Sequence, residues 1–316
     1  MLDVSILLQA LPYIRQFRNR LFVVKFGGEL LRDRAHLDAI AGDLTLLDMV
    51  GIQLVVVHGG GPQANELSES LGFKPQMVEG RRVTDAAALE VAKMVFAGKI
   101  NTEVLGALNK HGGKGVGLSG VDAALIRAHR RPVTTVIENG LAREVDFGFV
   151  GDVEAVDPSL LQNLVERDFI PVVASLAADP DGTILNINAD TIAAEVALAM
   201  KAEKLIVMTT VPGVYKDFAT KAEMYSRLSV ADARALIKDG TAGKGMSPKL
   251  KACAQAVEGG VREAHIINGV EPHSLLIEIF TESGAGTMIS REGPPQLVRP
   301  PAGVAASSAP DAASDG

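Results

Sequence analysis

Two lysines lie at positions where an ammonium group without a partner would be unfavourable. Lys25 ends the apolar, β-branched run FVVK, where a lysine is unusual unless it is paired. Lys249 follows Pro248, which marks the start of a predicted helix, and a lysine in the first turns of a helix opposes the helix dipole unless an anion is near. The alternative for Lys249 is a solvated helix face that it shares with Lys244 and Lys251.

Asp190 begins another predicted helix, ADTIAAEVALAM, whose other residues are nearly all small or apolar. Its carboxylate could serve only as the N-cap, or it could also accept charge-assisted hydrogen bonds from distant lysines. The segment alone favours neither interpretation. In the preceding LNINAD, the side chains of Asn186 and Asn188 point to the same side if the chain is extended.

Two glycine runs, VVKFGG and VVVHGGG, each end a predicted buried strand. The carboxyl ends of strands form the ligand crevice of an open α/β sheet, and glycines there let backbone N–H groups approach an anion. Pro62 then begins a helix, whose N-terminus also favours negative charge. Either run alone indicates only a tight turn, but the two together with Lys25 predict a phosphate or carboxylate cradle. His58 is interpreted as a turn residue rather than a catalyst.

The segment EGRRVTD offers a group that could bind a carboxylate. Arg82 could hold it with the two-pronged guanidinium fork. The alternative is a solvated ion pair of Arg82 with Glu79 or Asp85. Thr84 and Asp85 are better interpreted as the cap of the next helix.

Two further glycine-containing segments have different interpretations. GVGLSG, residues 115–120, matches the spacing G-x-G-x-x-G, but the charged segment VDAALIRAHRRP after it is not a convincing helix. We therefore reject a dinucleotide site there and predict a strand and a turn. VPGV, residues 211–214, ends a buried strand with a Pro-Gly turn and is a crevice edge suited to a nucleotide.

The elements that must position these residues alternate between strands and helices. Strands are predicted around residues 20–26, 52–58, 168–175, 203–214 and 263–269, with helices near 33–50, 62–71, 86–110, 246–260 and 273–280. This alternation indicates an α/β protein with a largely parallel sheet covered on both faces. Residues 294–316, rich in Pro, Ala and Ser, are predicted to be a disordered tail.

Composition limits the classes of function. The 316 residues are 47% hydrophobic and carry a net charge of −7. This negative charge argues against a protein that binds nucleic acids or anionic membranes. Cys253 is the one cysteine, so no intramolecular disulfide forms and a cytoplasmic location is expected. No segment has the long uncharged run of a membrane span.

Taken together, VVKFGGELL, VVVHGGGPQ, EGRRVTD, GVGLSG, LNINADTIAAEVA, VPGVY and GMSPKLKACAQAVEGG resemble the amino acid kinase family, in order from about Val4 to Ile289. The resemblance is to its members that act on N-acetylglutamate. It implies an open, mainly parallel eight-stranded sheet in a three-layer αβα sandwich. One lobe, about 21–175, would bind the acylated amino acid, and the other, about 176–293, would bind ATP. The implied reaction is ATP-dependent phosphorylation of the side-chain carboxylate of N-acetyl-L-glutamate, the second step of arginine biosynthesis.

The resemblance also implies roles for individual residues. Lys25 and Lys249 would stabilise the transferring phosphoryl group, with Asp190 organising both. The substrate would be held by Gly60, Gly61, Arg82, Asn186 and Asn188. ATP would be bound by Gly28, Thr210, Gly213, Gly245 and Met246, with Mg²⁺ carried by the nucleotide rather than by a metal site of the protein. Three positions depart from the family pattern: Thr210 stands where Asp is usual, Glu29 where Asn is usual, and Arg81 where an apolar residue is usual.

Residues 1–20 are predicted to form an oligomerisation helix, because an apolar stripe of Leu7, Leu11 and Ile14 would be a liability on a monomer. The segment resembles the N-terminal helix of arginine-inhibited, hexameric members of the family. By that resemblance, Tyr13, His265 and Glu278 would form an effector site for L-arginine in a homo-oligomer, a dimer or a hexamer. The alternative is that the helix only packs and Glu278 is solvated.

Two competing functions are kept, and a dehydrogenase is set aside. One is a related amino acid kinase, for example the acetylaminoadipate kinase of lysine biosynthesis. Another is a non-catalytic arginine sensor, against which the intact set of Lys25, Asp190 and Lys249 argues. A dehydrogenase rests on GVGLSG alone.

Overall fold

A computed structural model of the protein describes residues 4–78, 81–138 and 141–300. The α-helices are α1 Val4–Phe17, α2 Arg34–Met49, α3 Gly61–Ser70, α4 Ala86–Lys93, α5 Asn101–Lys110, α6 Ser159–Val165, α7 Ala189–Ala199, α8 Val230–Lys238, α9 Gly243–Glu258 and α10 Ser274–Phe280. A π-helix, Met94–Ile100, joins α4 to α5, and short 3₁₀ turns lie at Gly28–Leu31 and Asp122–Ala124.

The strands complete the fold. They are β1 Leu21–Phe26, β2 Gln53–His58, β3 Gln76–Val78, β4 Arg81–Val83, β5 Gly115–Ser119, β6 Ile126–Arg130, β7 Thr134–Glu138, β8 Leu141–Val145, β9 Gly151–Val156, β10 Ile170–Ala174, β11 Leu176–Ala178, β12 Ile184–Asn186, β13 Lys204–Thr209, β14 Val214–Tyr215, β15 Met224–Ser229, β16 Glu263–Asn268, β17 Thr287–Ser290 and β18 Gln296–Val298.

The main sheet has the order β14-β15-β17-β16-β13-β1-β2-β10-β5, and β18 also pairs with β15. From β16 to β5 every neighbouring pair is parallel, while β16 and β17 are antiparallel. The sheet therefore has ten strands, not the eight that we predicted. The difference is β14 and β18, two short strands that add antiparallel pairing at the β15 edge.

The strand β18 also corrects the predicted tail. Residues 296–298 are not disordered, because their backbone pairs with Met224, Tyr225 and Arg227 of the edge strand β15. The composition of the segment does not indicate this strand, because a strand at a sheet edge is held by backbone hydrogen bonds more than by a large apolar face. Residues 301–316 of the predicted tail lie outside the described residues.

Helices cover both faces of the sheet, which confirms the predicted αβα layering. Along β1, Phe22, Val24 and Phe26 lie in a core with α2, the π-helix, α5 and α10, whereas Val23 lies in the opposite core with α6, α7 and α9. Side chains alternate between the two faces of a strand. Lys25 therefore faces α7 and α9, the helices that carry Asp190 and Lys249.

A second sheet, β12-β11-β6-β9, and two hairpins, β3–β4 and β7–β8, lie outside the main sheet. Their strands are not among those predicted from the sequence, because they are short and lack a continuous apolar run. They matter for the site because β4 carries Arg82 and β12 ends at Asn186.

Candidate active site

Lys25, Asp190 and Lys249 form one cluster at the carboxyl end of β1. The Lys25 ammonium lies 2.6 Å from Asp190 Oδ1, and the Lys249 ammonium lies 3.7 Å from Asp190 Oδ2. The side chains of Lys25 and Asp190 are almost fully buried, whereas 20% of the Lys249 side chain is exposed. One carboxylate thus holds two ammonium groups that come from opposite ends of the chain.

Asp190 is not the N-cap of α7. That place belongs to Asn188, whose Oδ1 accepts hydrogen bonds from the N–H groups of Asp190 at 2.7 Å and Thr191 at 3.2 Å. The cap-only interpretation of Asp190 is therefore wrong, and its carboxylate is left to pair with the lysines. The capping role also occupies the oxygen of Asn188, so this residue can offer a substrate only its amide N–H groups.

Lys249 lies deeper in its helix than we predicted. The helix α9 begins at Gly243, and Pro248 lies inside it rather than at its start. Gly245, predicted to lie in a turn before the helix, belongs to the first turn of α9. Lys249 is nevertheless directed at the cluster, while Lys251 of the same helix is exposed. The lysines of α9 are therefore not one solvated face.

The lysines also decide the ionisation of the carboxylate. Burial by itself raises the pKa of Asp190, but the charges of Lys25 and Lys249 outweigh burial and hold the pKa below its ordinary value. Cys253 lies close enough to be affected, and burial raises the pKa of its thiol, which makes it a poor nucleophile. Asp190 is thus a fixed anion at neutral pH.

The two glycine runs meet beside this cluster. A Cβ on Gly28 would overlap the Gln63 side chain and lie 3.1 Å from Gly60 Cα, so the turns after β1 and β2 are in contact. Gln63 joins them further, since its Nε2 donates to the carbonyl of Gly28 at 2.7 Å. Gly59 packs on Ala189, the first residue of α7. The predicted cradle therefore adjoins both lysines and Asp190.

Arg82 reaches the same glycine run from the β3–β4 hairpin. Its Nη2 donates to the carbonyl of Gly61 at 2.8 Å and to the side chain of Asn65. Its Nη1 is buried and has no partner among the described residues, and burial lowers the pKa of the guanidinium. Because a buried donor without a partner is costly, a carboxylate ligand would satisfy it.

Asn186 and Thr84 continue this side of the crevice. Asn186 Nδ2 donates to the hydroxyl of Thr84 at 3.2 Å, which ties β12 to the end of the β3–β4 hairpin. Thr84 itself is bonded through its backbone to Phe147 and Phe149. Asp85, as predicted, caps α4 by accepting from the N–H of Ala88 at 2.8 Å.

A cavity of about 300 Å³ opens beside Lys249, whose side chain is part of its lining. Its lining includes four of the five residues predicted to bind ATP, namely Thr210, Gly213, Gly245 and Met246. The fifth, Gly28, does not line it, and the neighbouring residues Gly27 and Glu29 take its place. Leu30, Met208, Val214, Tyr215 and Phe218 make much of the wall apolar. Such a wall suits a flat base, while Gly27 and Lys249 lie at the end nearest Asp190.

Two of the predicted effector residues, His265 and Glu278, are in contact on the opposite face of the sheet. His265 Nδ1 donates to Glu278 Oε1 at 2.5 Å, and Glu278 Oε2 accepts from the N–H of Gly286 at 3.0 Å. Burial raises the pKa of Glu278, but the hydrogen bonds that it accepts from His265 and from the N–H of Ala285 outweigh burial, so the pKa lies below its ordinary value. The side chain of Glu278 is only 5% exposed, so the alternative of a solvated Glu278 is wrong. Tyr13 stacks on Phe17 of α1, and the ring of Phe17 lies 5.2 Å from the ammonium of Lys204, which contacts His265.

Comparison with known proteins identifies the family. The model of the amino acid kinase family matches residues 20–268, which is most of the chain. The chain belongs to the amino acid kinase family. Curated relatives include the acetylglutamate kinases of Methanothermobacter thermautotrophicus, 45% identical over 92% of this chain and 100% of that one, and of Thermosynechococcus vestitus, 45% identical over 90% and 93%.

Solved structures give the same fold. N-acetylglutamate synthase from Neisseria gonorrhoeae, solved with coenzyme A and N-acetyl-glutamate, is 30% identical with a TM-score of 0.78. The match covers 92% of this chain but only 64% of that synthase chain. An isopentenyl phosphate kinase, 23% identical with a TM-score of 0.59, shares the fold. No helix among the described residues is long and apolar enough to cross a membrane.

Sequence reasoning missed several residues that build the site. Gln63, Asn65 and Thr84 connect the glycine runs, Arg82 and Asn186, yet none has a sequence signal beyond lying next to a predicted site residue. Lys204 is different, because it begins the buried strand β13 and contacts Glu263 and His265. The signal that singled out Lys25, a lysine in a buried strand, applies equally to Lys204.

Proposed function

We propose that the protein transfers the γ-phosphoryl group of ATP to the side-chain carboxylate of N-acetyl-L-glutamate, giving ADP and N-acetyl-L-glutamyl 5-phosphate, in the second step of arginine biosynthesis. The observation that carries this proposal is Asp190 held between Lys25 and Lys249, at the end of a cavity lined by Lys249 and by Gly27 of the first glycine run. Relatives named acetylglutamate kinase, 41–47% identical over 90% or more of the chain, support the choice of substrate.

The nucleotide would occupy the cavity beside Lys249. Its base would lie among the apolar side chains, and its phosphates would point towards Gly27 and the two ammonium groups. The described residues contain no cluster of three or more His, Cys, Asp or Glu side chains that could hold a metal ion. We infer that Mg²⁺ would come with the nucleotide and would supply positive charge to the transferring group.

The amino acid would lie on the other side, between Arg82 and the glycine run of residues 59–61. Arg82 offers the unpartnered Nη1 to a carboxylate, and Asn186 and the amide N–H groups of Asn188 lie on the same side of the crevice. The N–H groups of Gly60 and Gly61 would bind the carboxylate that receives the phosphoryl group. Arg82 is thus assigned to the carboxylate that does not react.

The chemistry needs no general base. A glutamate side chain, with an ordinary pKa of about 4.3, is already ionised at neutral pH and attacks phosphorus directly. The difficulty is that two anions must meet, so catalysis rests on positioning and on neutralising charge. Lys25 and Lys249 supply two positive charges, and Asp190 keeps them from repelling each other apart when no anion is bound.

The test is an assay of ADP release and of acyl phosphate, trapped by hydroxylamine as a hydroxamate. N-acetyl-L-glutamate, L-glutamate and N-acetyl-L-2-aminoadipate would be compared at equal concentration. Preference for N-acetylglutamate supports the proposal, whereas preference for the aminoadipate derivative would assign the protein to lysine biosynthesis. A folded protein that consumes no ATP with any of them would indicate a sensor.

We also propose that the buried pair His265 and Glu278, together with Tyr13 of α1, binds L-arginine as an inhibitor, and that α1 joins subunits of a homo-oligomer. The exposed apolar residues Leu8 and Leu11 on α1 support a packing partner for this helix. Mass in solution and inhibition by arginine, before and after removal of residues 1–18, test both ideas. A dimer indifferent to arginine would reject the hexamer and the effector site but not the kinase. We place the reaction in the cytoplasm.

A further inference from the structure

His58 is the most deeply buried polar residue beside the glycine run. It ends β2 in the middle of the main sheet, opposite Phe26 of β1 and Ala174 of β10, and it is 0% exposed. Burial lowers the pKa of its imidazole to about 4. None of the roles proposed above for the phosphoryl transfer uses His58, although this residue directly precedes Gly59.

The partner of His58 fixes the position of its proton. Asn101 Nδ2 lies 3.1 Å from the carbonyl of Val172, 3.2 Å from that of Leu118 and 3.3 Å from His58 Nε2. Two carbonyl oxygens can only accept, so the amide must direct its NH₂ group, and not its oxygen, at them. His58 Nε2 faces the same NH₂ group, whose two hydrogens it shares with these carbonyls, and it can therefore only accept. The imidazole must then carry its proton on Nδ1.

The Nδ1–H group forms a hydrogen bond with the first residue of the glycine run 59–61. It donates to the carbonyl of Gly59 at 3.1 Å. In a planar trans peptide, the C=O and the next residue's N–H point in opposite directions. Holding the Gly59 carbonyl towards His58 therefore turns the N–H of Gly60 away from it, on the side of the crevice. Among the described residues, this N–H has no backbone acceptor.

The helix that carries Asn101 adds a second constraint. The π-helix Met94–Ile100 immediately precedes Asn101, and π-helices are rare and concentrated at functional sites. A Cβ on Gly60 would overlap Ile100 and Phe96 of this π-helix. The π-helix thus packs on Gly60 and leads directly into Asn101, whose amide orients His58.

We propose that Asn101 and His58 form a buried relay that fixes the Gly59–Gly60 peptide, so that the N–H of Gly60 is aimed at the reacting carboxylate. His58 is a positioning residue in this relay and does not touch the substrate. The proposal rests on the proposed function for the identity of that carboxylate, but the tautomer and the peptide orientation depend on the protein alone.

Two variants separate the two nitrogen atoms of His58. In His58→Asn, the side-chain amide can place an N–H near the former Nδ1 and keep the bond to Gly59. In His58→Gln, the amide reaches the former Nε2 position and leaves Gly59 without its donor. His129→Gln, on the exposed part of β6, is the matched control. Kinetics with N-acetylglutamate and with ATP, together with thermal unfolding, would be measured for all three.

We expect kcat/KM for N-acetylglutamate to fall about tenfold to 100-fold in His58→Gln, because a misplaced binding group can cost that much. His58→Asn should stay within about threefold of the unaltered protein by the same reasoning, and the KM for ATP should be unchanged in both. Equal losses in the two variants, or equal effects on both substrates, would show that His58 only fills space and would overturn the proposal.

A spectroscopic measurement keeps the proposal testable if a variant does not fold. In the unaltered protein labelled with ¹⁵N and ¹³C histidine, the signals of His58 should be those of a neutral ring protonated on Nδ1 throughout pH 5.5 to 8. An Nε2–H tautomer, or titration in this range, would overturn the relay. This readout is independent of activity, so a protein inactive on N-acetylglutamate would reject the proposed function while leaving the relay to be judged by its tautomer.

Discussion

Two lysines on neighbouring strands of the main sheet, Lys25 and Lys204, lie in clusters of opposite net charge. Lys25, at the carboxyl end of β1, shares one carboxylate, Asp190, with Lys249. Lys204, at the start of β13, lies on the other face of the sheet and contacts two acidic groups through one network, Glu263 directly and Glu278 through His265. The first cluster has two positive charges against one negative charge.

The second cluster has the reverse balance. The Lys204 ammonium can only donate, so His265 Nε2, 3.0 Å away, accepts, and the proton of His265 lies on Nδ1 towards Glu278. His265 is then neutral, which leaves one lysine against two carboxylates. A cluster with surplus positive charge is completed by an anion, and one with surplus negative charge by a cation. The first therefore suits a phosphate, and the second a guanidinium.

The largest expected effect comes from removing the shared carboxylate of the first cluster. Asp190→Asn leaves Lys25 buried beside no anion, and breaking a buried pair in this way costs about 3–5 kcal/mol. Urea unfolding at neutral pH would measure it. Glu263→Gln is the comparison, because Glu263 is 26% exposed and water can replace it, so its loss should be smaller. Equal losses would contradict the view that Asp190 is the more isolated charge.

Lowering the pH should also reveal how much Asp190 contributes to the free energy of unfolding. The folded-state pKa of Asp190 is depressed, so its stabilisation is complete above the ordinary value of about 3.9 and is lost as the pH falls through the folded value. In Asp190→Asn, this part of the acid dependence should be absent. Measuring the free energy of unfolding of both proteins from pH 6 to pH 3 compares the two slopes.

The next effect concerns catalysis. Lys249→Ala should lower kcat about 100-fold or more, with a small change in KM, because this ammonium stabilises charge that develops only during transfer. Lys251→Ala, exposed on the same helix, is the control and should retain full activity. Near-normal turnover in a folded Lys249→Ala protein would remove the residue from the mechanism.

A smaller effect is expected at the amino acid side of the first cluster. Arg82→Lys keeps the charge but loses the planar fork, so the KM for N-acetylglutamate should rise about tenfold while the KM for ATP stays constant. Kinetics with each substrate varied in turn would show the split. If the KM for ATP moved instead, the two sides of the crevice would have been assigned the wrong way round.

The sequence predicted the strands and helices of the main sheet better than the contacts between them. Runs such as QLVVVH are buried on both faces and are recognisable from composition alone. Partners such as Asn101 and His58, 43 residues apart, or Arg82 and Asn65 depend on how helices pack, which no local pattern reveals. Asn and Asp both cap helices well, so the sequence could not show that Asn188, and not Asp190, is the cap of α7.

The smallest effect on catalysis should come from the second cluster, and it is the sharpest test of the charge comparison. Glu278→Gln removes one of the two negative charges on the face away from Lys249, so activity without arginine should change less than about twofold, as for a site outside the crevice. Inhibition by L-arginine should weaken about tenfold or more, since a hydrogen bond between charged groups is lost. L-citrulline, which has the same length but no charge, should not inhibit the unaltered protein. Inhibition that survives in Glu278→Gln, or equal inhibition by citrulline, would show that the surplus negative charge does not select the ligand.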